Sequence, residues 1–195
     1  MNRQKNGSAV NASAPPFLPP KNRAVFKARN MLLLVGASLW LCVCSSCSKQ
    51  ADKQDDVTTW YKNLDHVTQL ELQAARAATA RYKDVNNALA DGYQDIMVDV
   101  EGMGHHYMNP DLVDSTFDLA KPEILVYNRD ENNQLVLVAV EYAVPINLPK
   151  PEGFTGDADE WNGNSPFPYW LLHAWVWAYN PEGAFHWTNP LIHLH

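Results

Sequence analysis

Apolar side chains recur at three- and four-residue spacing from Val57 to Leu89, through Trp60, Leu64, Val67, Leu70, Ala74, Ala78, Tyr82 and Val85. That period predicts helix over 57–91, as one long helix or as two with a kink. The alanine-rich centre, Ala74–Ala80, favours helix and lets a neighbouring layer approach closely. Asp91-Gly92 predicts the end, because glycine suits a left-handed cap. The period then changes to two. Ile96, Val98 and Val100 alternate with Met97, Asp99 and Glu101. Glu123–Tyr127 and Gln134–Val144 flank the polar stretch 128–133, a hairpin pattern. Leu171–Tyr179 predicts a further strand, stopped by Asn180-Pro181-Glu182-Gly183. Pro145–Pro168 is rich in proline and predicts a long ordered loop.

A helical segment followed by runs of strands implies an α+β fold. The expected arrangement is a helical layer packed on a curved, mainly antiparallel four-stranded sheet, cystatin-like or NTF2-like by analogy. A single domain over 57–195 accommodates all of these elements.

The chain ahead of that domain follows another pattern. Residues 1–46 carry six Lys/Arg and no acid, whereas residues 48–195 carry nine basic and twenty-two acidic residues, a net of −13. A basic leader (1–30, expected disordered) precedes the apolar run Met31–Val43 and the small residues Ser45-Ser46. That is the layout of a secretory signal. The run is thirteen residues long, against the roughly 20 that a spanning helix needs. Segment 31–47 resembles the lipobox of bacterial lipoproteins, in which a cysteine is lipidated and becomes the first residue of the mature chain. Here that cysteine is Cys47, although Cys44 stands where an aliphatic residue is usual. Residues 48–56 read as a flexible tether. The expectation is an exported protein, lipid-anchored to a membrane of the bacterial cell envelope. All three cysteines precede the domain, which therefore has no thiol chemistry. Its acidity argues against nucleic acid as a partner, since phosphate binding needs a basic surface.

Candidate chemistry gathers in two places. Gly102-Met103-Gly104-His105-His106-Tyr107 follows the first predicted strand. Neighbouring side chains on an extended chain point to opposite sides, so His105 and His106 are not expected to act together. In the later strands Leu135, Leu137, Ala139 and Glu141 would share one face. Along Leu171–Tyr179, the residues Leu171, His173, Trp175, Trp177 and Tyr179 would likewise share one face. Glu141 and His173 therefore stand in otherwise apolar rows, and a buried carboxylate needs a partner. His106, Glu141 and His173 are the candidate site, with His105 or His186 as further members. Carboxylate with imidazole suits a divalent metal. The same set would serve a small ligand held in the sheet's concavity, lined by Tyr107, Trp175 and Trp177. A purely structural Glu–His hydrogen bond is the plain alternative. An envelope enzyme with His106 or His173 as general base is another reading. Five tryptophans between Trp161 and Trp187 suggest a third, a protein- or glycan-interaction module. The His193/His195 pair and the loop acids Asp157, Asp159 and Glu160 are weaker metal candidates. The sequence contains no GxSxG elbow, P-loop or CxxCH motif.

The order of ALADGY (88–93), GMGHHYMN (102–109), KPEILVY (121–127), LVAVEYAVP (137–145), HAWVW (173–177) and WTNP (187–190) is similar to a family of small exported bacterial proteins of unknown function. That resemblance covers most of 70–190. It implies that Gly102, Gly104, His106, Tyr107, Glu141, Tyr142, Trp175 and Trp177 are family positions, and it implies no reaction.

Replacing Cys47 with Ser is expected to abolish labelling by radioactive fatty acid in a bacterial host. Labelling that persists would move the anchor to Cys44 or Cys42.

Overall fold

The computed structural model describes residues 56–195. The expected leader, the expected signal segment with Cys47, and residues 48–55 of the expected tether lie outside the described residues. Among the described residues no helix is long and apolar enough to cross a membrane.

Three short helices open the domain: α1 (Val57–Trp60), α2 (His66–Thr79) and α3 (Val85–Ala90), with a 3-10 turn at Ala80–Lys83. The expected long helix is broken at two aspartates, Asp65 and Asp84, and a third, Asp56, opens it. Asp56, Asp65 and Asp84 each accept a backbone N–H from the first turn of the helix that follows. Such caps satisfy donors that a helix start leaves orphaned, so each one favours a new helix over a continuous one. The buried stripe of α2 also differs from the expected one. It consists of Thr68, Leu72, Ala75 and Thr79, while Val67 and Leu70 stay about half exposed. The threonines are admitted because their hydroxyls are bonded. Thr79 Oγ1 donates to the Ala75 carbonyl at 2.8 Å and accepts from Trp177 Nε1 at 2.9 Å. Thr68 Oγ1 meets the Thr155 carbonyl at 2.5 Å.

The sheet is antiparallel throughout: β1 (Gln94–Val100), β2 (Gly104–Met108), β3 (Ile124–Arg129), β4 (Leu135–Pro145) and β5 (Tyr169–Ala174), paired in chain order. The fold is α+β as expected, with five strands rather than four. The additional strand is β2, whose sequence, GHHYM, has no apolar alternation to announce it. It opens on Gly104 at φ 121°, where a Cβ would run into the Tyr127 carbonyl oxygen. Only glycine lets β2 lie that close to β3.

Cross-strand partners share a face. One face carries Tyr107, Leu125, Tyr127, Val140, Tyr142 and Leu172 toward the helices, where the Tyr127 hydroxyl donates to the Tyr82 carbonyl at 2.7 Å. The opposite face carries His106, Val126, Ile124, Ala139, Glu141, His173 and Leu171. A bulge in β4 corrects the expected row. Val126 pairs with Ala139 and Tyr127 with Leu137, leaving Val138 as the extra residue, so Leu137 turns to the helical face. The bulge also shortens β5. The Val138 carbonyl accepts from the Trp177 and Ala178 amides, and the Trp175 amide donates to Ala184. The chain thus leaves the ladder at Ala174, and the strand predicted to reach Tyr179 ends there.

Gly104→Ala is expected to lower the unfolding free energy by about 2 kcal/mol or more, from backbone strain and displacement of β3. Denaturant titration measures it. A loss within about 0.5 kcal/mol, typical of an ordinary surface change, would mean that β2 does not need this close approach.

Candidate functional site

On the sheet face away from the helices lies a cavity of about 360 Å³. Its floor is β2–β5, its side is β1, and its rim is the loop around Asn162–Phe167 together with Trp187. The wall is mainly hydrocarbon, with the buried side chains of His106 and Glu141 set into it. β1 can arch over it because its pairing with β2 breaks between Asp95 and Asp99. Met97 takes φ 55° at the crest and points outward, while Ile96, Val98 and Val100 turn inward.

The three residues proposed from the sequence are together. Glu141 and His173 are direct cross-strand partners. His106 Nε2 lies 3.8 Å from Glu141 Oε2. All three are almost wholly buried, with 3% exposure at His106, 2% at Glu141 and none at His173. The 3.8 Å gap is too long for a hydrogen bond, so the plain Glu–His bond is not formed. His106 Nδ1 is 2.8 Å from the Val98 carbonyl. A carbonyl only accepts, so Nδ1 carries the hydrogen, and Nε2 of the neutral ring is left as an acceptor facing the cavity.

Burial sets the charge state. It pushes the Glu141 carboxyl up from 4.5 to about 8, with no hydrogen bond among the described residues to hold it down. It also lowers His106, against the opposing pull of the Val98 carbonyl. His173 is pushed down to about 3, first by burial and then by nearby His106. At neutral pH the trio is therefore a protonated acid beside two neutral imidazoles. Both ring nitrogens of His173 are buried without a hydrogen-bond partner. Its ring lies 4.5 Å from that of Trp175 and 6.2 Å from that of Trp187.

Other candidates fall elsewhere. Tyr107 lies on the helical face, edge-on to Tyr127 at 5.1 Å, and does not line the cavity. Trp177 packs under the Arg76 guanidinium at 4.3 Å, also away from it. Trp175 is fully buried, and its Nε1 donates to the His186 carbonyl at 2.7 Å, so it backs His173 without facing a ligand. His105 points away from His106, as the alternation predicts, and meets Asp99 at 2.7 Å. His186 pairs with Glu182 and His193 with Glu101, both at the surface. Among the described residues no group of three or more His, Cys, Asp or Glu side chains is arranged to hold a metal ion. Of the loop acids, Asp159 accepts from the Phe154 amide at 3.0 Å.

The sequence reading missed the β1 wall, although the alternation at Ile96, Val98 and Val100 was a signal for it. It also missed the loop rim, which has no period to betray it. A second buried acid, Glu123, went unread as well. It is raised to about 7 by burial, against the lowering bond it accepts from the Ala143 amide at 3.0 Å. Comparison with protein-family models, with curated proteins and with solved structures gives no match, so the chemistry rests on geometry alone.

The folded protein holds a proton on Glu141 between about pH 4.5 and pH 8, where the unfolded chain releases it. The stability tied to that proton is complete below pH 4.5 and is lost as pH rises through about 8. His173 runs the other way, favouring the folded state above pH 6.5 and losing that contribution as pH falls toward 3. Glu141→Gln, neutral at every pH, is therefore expected to raise the thermal midpoint at pH 8.5 by a few degrees, on the order of 1 kcal/mol. Near pH 4.5 it should give no gain. Melting curves at the two pH values check this, and equal shifts at both would contradict a buried, proton-holding Glu141.

Proposed function

We propose that this chain is an exported, lipid-anchored envelope protein whose domain binds a small, mainly hydrocarbon ligand in the cavity above Glu141 and His106. The leader supports the address: a basic, acid-free segment, a short apolar run and Cys47. One observation carries the binding reading. A cavity of ligand size, walled by apolar side chains, keeps at its floor a carboxyl that no described side chain or backbone group satisfies. An unsatisfied buried polar group costs free energy, and a ligand that bonds to it recovers that cost. The cystatin-like or NTF2-like analogy amounts to a shared layering, helices on one face of a curled antiparallel sheet. The resemblance to small exported proteins is consistent with the same address and adds no activity.

The enzyme alternative has one observation in its favour: a neutral acid and a basic nitrogen face the same cavity. Within it His106 is the candidate base, because His173 does not line the cavity. The interaction-module reading loses support, because the indole N–H groups of Trp170, Trp175 and Trp177 are all spent on internal bonds. A divalent metal is not part of the proposal.

A neutral fluorescent probe, N-phenyl-1-naphthylamine, is expected to bind the purified domain and to quench Trp187 at the rim. Val98→Phe fills the cavity from the partly buried β1 wall and should weaken binding about tenfold or more, the effect of roughly 1.4 kcal/mol. Full binding by this variant, with the fold intact by circular dichroism, would place the ligand elsewhere.

A further inference from the structure

We propose that the polar end of the ligand is a single hydroxyl group on an otherwise hydrocarbon body, an alcohol or phenol, seated between His106 Nε2 and Glu141 Oε2. This rests on the cavity being a ligand site and names the chemistry that the site selects.

The two atoms are 3.8 Å apart. That is too far for them to bond each other, and close enough for one oxygen to reach both at about 2.8 Å. Their roles are complementary. His106 Nε2 is fixed as an acceptor, because Nδ1 spends its hydrogen on the Val98 carbonyl at 2.8 Å. Glu141, driven to its protonated form by burial, offers an O–H donor. A guest between them must accept one hydrogen bond and donate another at the same atom. A hydroxyl does both. An ether accepts from Glu141 and leaves Nε2 without a donor. A carboxylate offers acceptors only and would bring a charge into an apolar enclosure that holds no cation among its lining residues. An ammonium has no lone pair for the Glu141 proton and would have to ionise that acid to be paired. Ile96, Met108, Ile124 and Leu171 give the rest of the guest apolar contacts, while Asn162, Asn164 and Ser165 stand in the rim loop, which fits a mainly hydrocarbon body.

The bond from His106 Nδ1 to the Val98 carbonyl also makes the arrangement rigid. The Val98 carbonyl belongs to the arched part of β1, so the bond that sets the His106 tautomer also holds the cavity wall. The direction of Nε2 is therefore settled before any ligand arrives, which lowers the ordering cost of binding.

The experiment displaces N-phenyl-1-naphthylamine with four compounds that share one carbon skeleton: 4-phenylbutan-1-ol, its methyl ether, 4-phenylbutyrate and 4-phenylbutylamine, at pH 6.5. The alcohol is expected to bind at least about tenfold more tightly than each of the others, because a site built for a hydroxyl leaves buried groups unpaired with any analogue lacking it. Glu141→Leu should erase the preference while the probe still binds. Glu141→Gln, which keeps a donor in place, should retain it. Equal binding of alcohol and ether, or tighter binding of the carboxylate or the amine, overturns the hydroxyl assignment and leaves the cavity reading standing. Failure of the probe to bind wild-type protein overturns the cavity reading and this assignment together.

Discussion

Strand β4 is buried on both faces from Leu137 to Val144, and one of the eight residues it buries is an acid. The strand lies between β3 and β5, with helices on one face and the cavity on the other. A central strand in such a place is normally hydrocarbon throughout. Glu141 is tolerated because it keeps its proton, and it keeps its proton because nothing charged is near enough to stabilise the anion. The same burial that keeps the proton on Glu141 also lowers His106 and His173, so both imidazoles are neutral beside it.

Two irregularities in the sheet make the arrangement possible. The bulge at Val138 puts Ala139 and Glu141 on the cavity face while Leu137 turns to the helices, and its carbonyl takes the Trp177 and Ala178 amides. The chain after His173 is thereby pulled off the ladder, and Trp175 closes behind the histidine. The break in the pairing of β1 with β2 lets Ile96–Val98 rise over the site, where Val98 pins His106. Bulges bend strands and re-aim side chains, and here they build an enclosure from a simple meander.

Much of this was legible in the residue order. The hairpin β3–β4, the helical opening, the end at Gly92 and the opposite directions of His105 and His106 all follow from local periods and turn residues. The site was legible in part. Glu141 and His173 stood out as polar residues in apolar rows, and their strands pair directly. The aromatic lining was misjudged because it assumed a straight β5. Trp175 and Trp177 left the row when the strand ended at Ala174, and Tyr107 faced the helices. Hydrogen bonds between residues far apart in the chain decide such departures, and no local pattern encodes them.

The sequence by itself determined the α+β class, the charge division between leader and domain, and the residues that would be costly to bury alone. Those are properties of local period and composition, which act at short range along the chain. Tertiary structure alone decided that β2 joins the sheet through Gly104 and that α2 buries threonines in place of Val67 and Leu70. It also decided that His106 and Glu141 stand 3.8 Å apart across a cavity, without touching. Register, bulge position and the burial of a carboxyl are set by the sum of contacts across the sheet. A one-residue shift of β2 or β4 would move His106 or Glu141 to the other face.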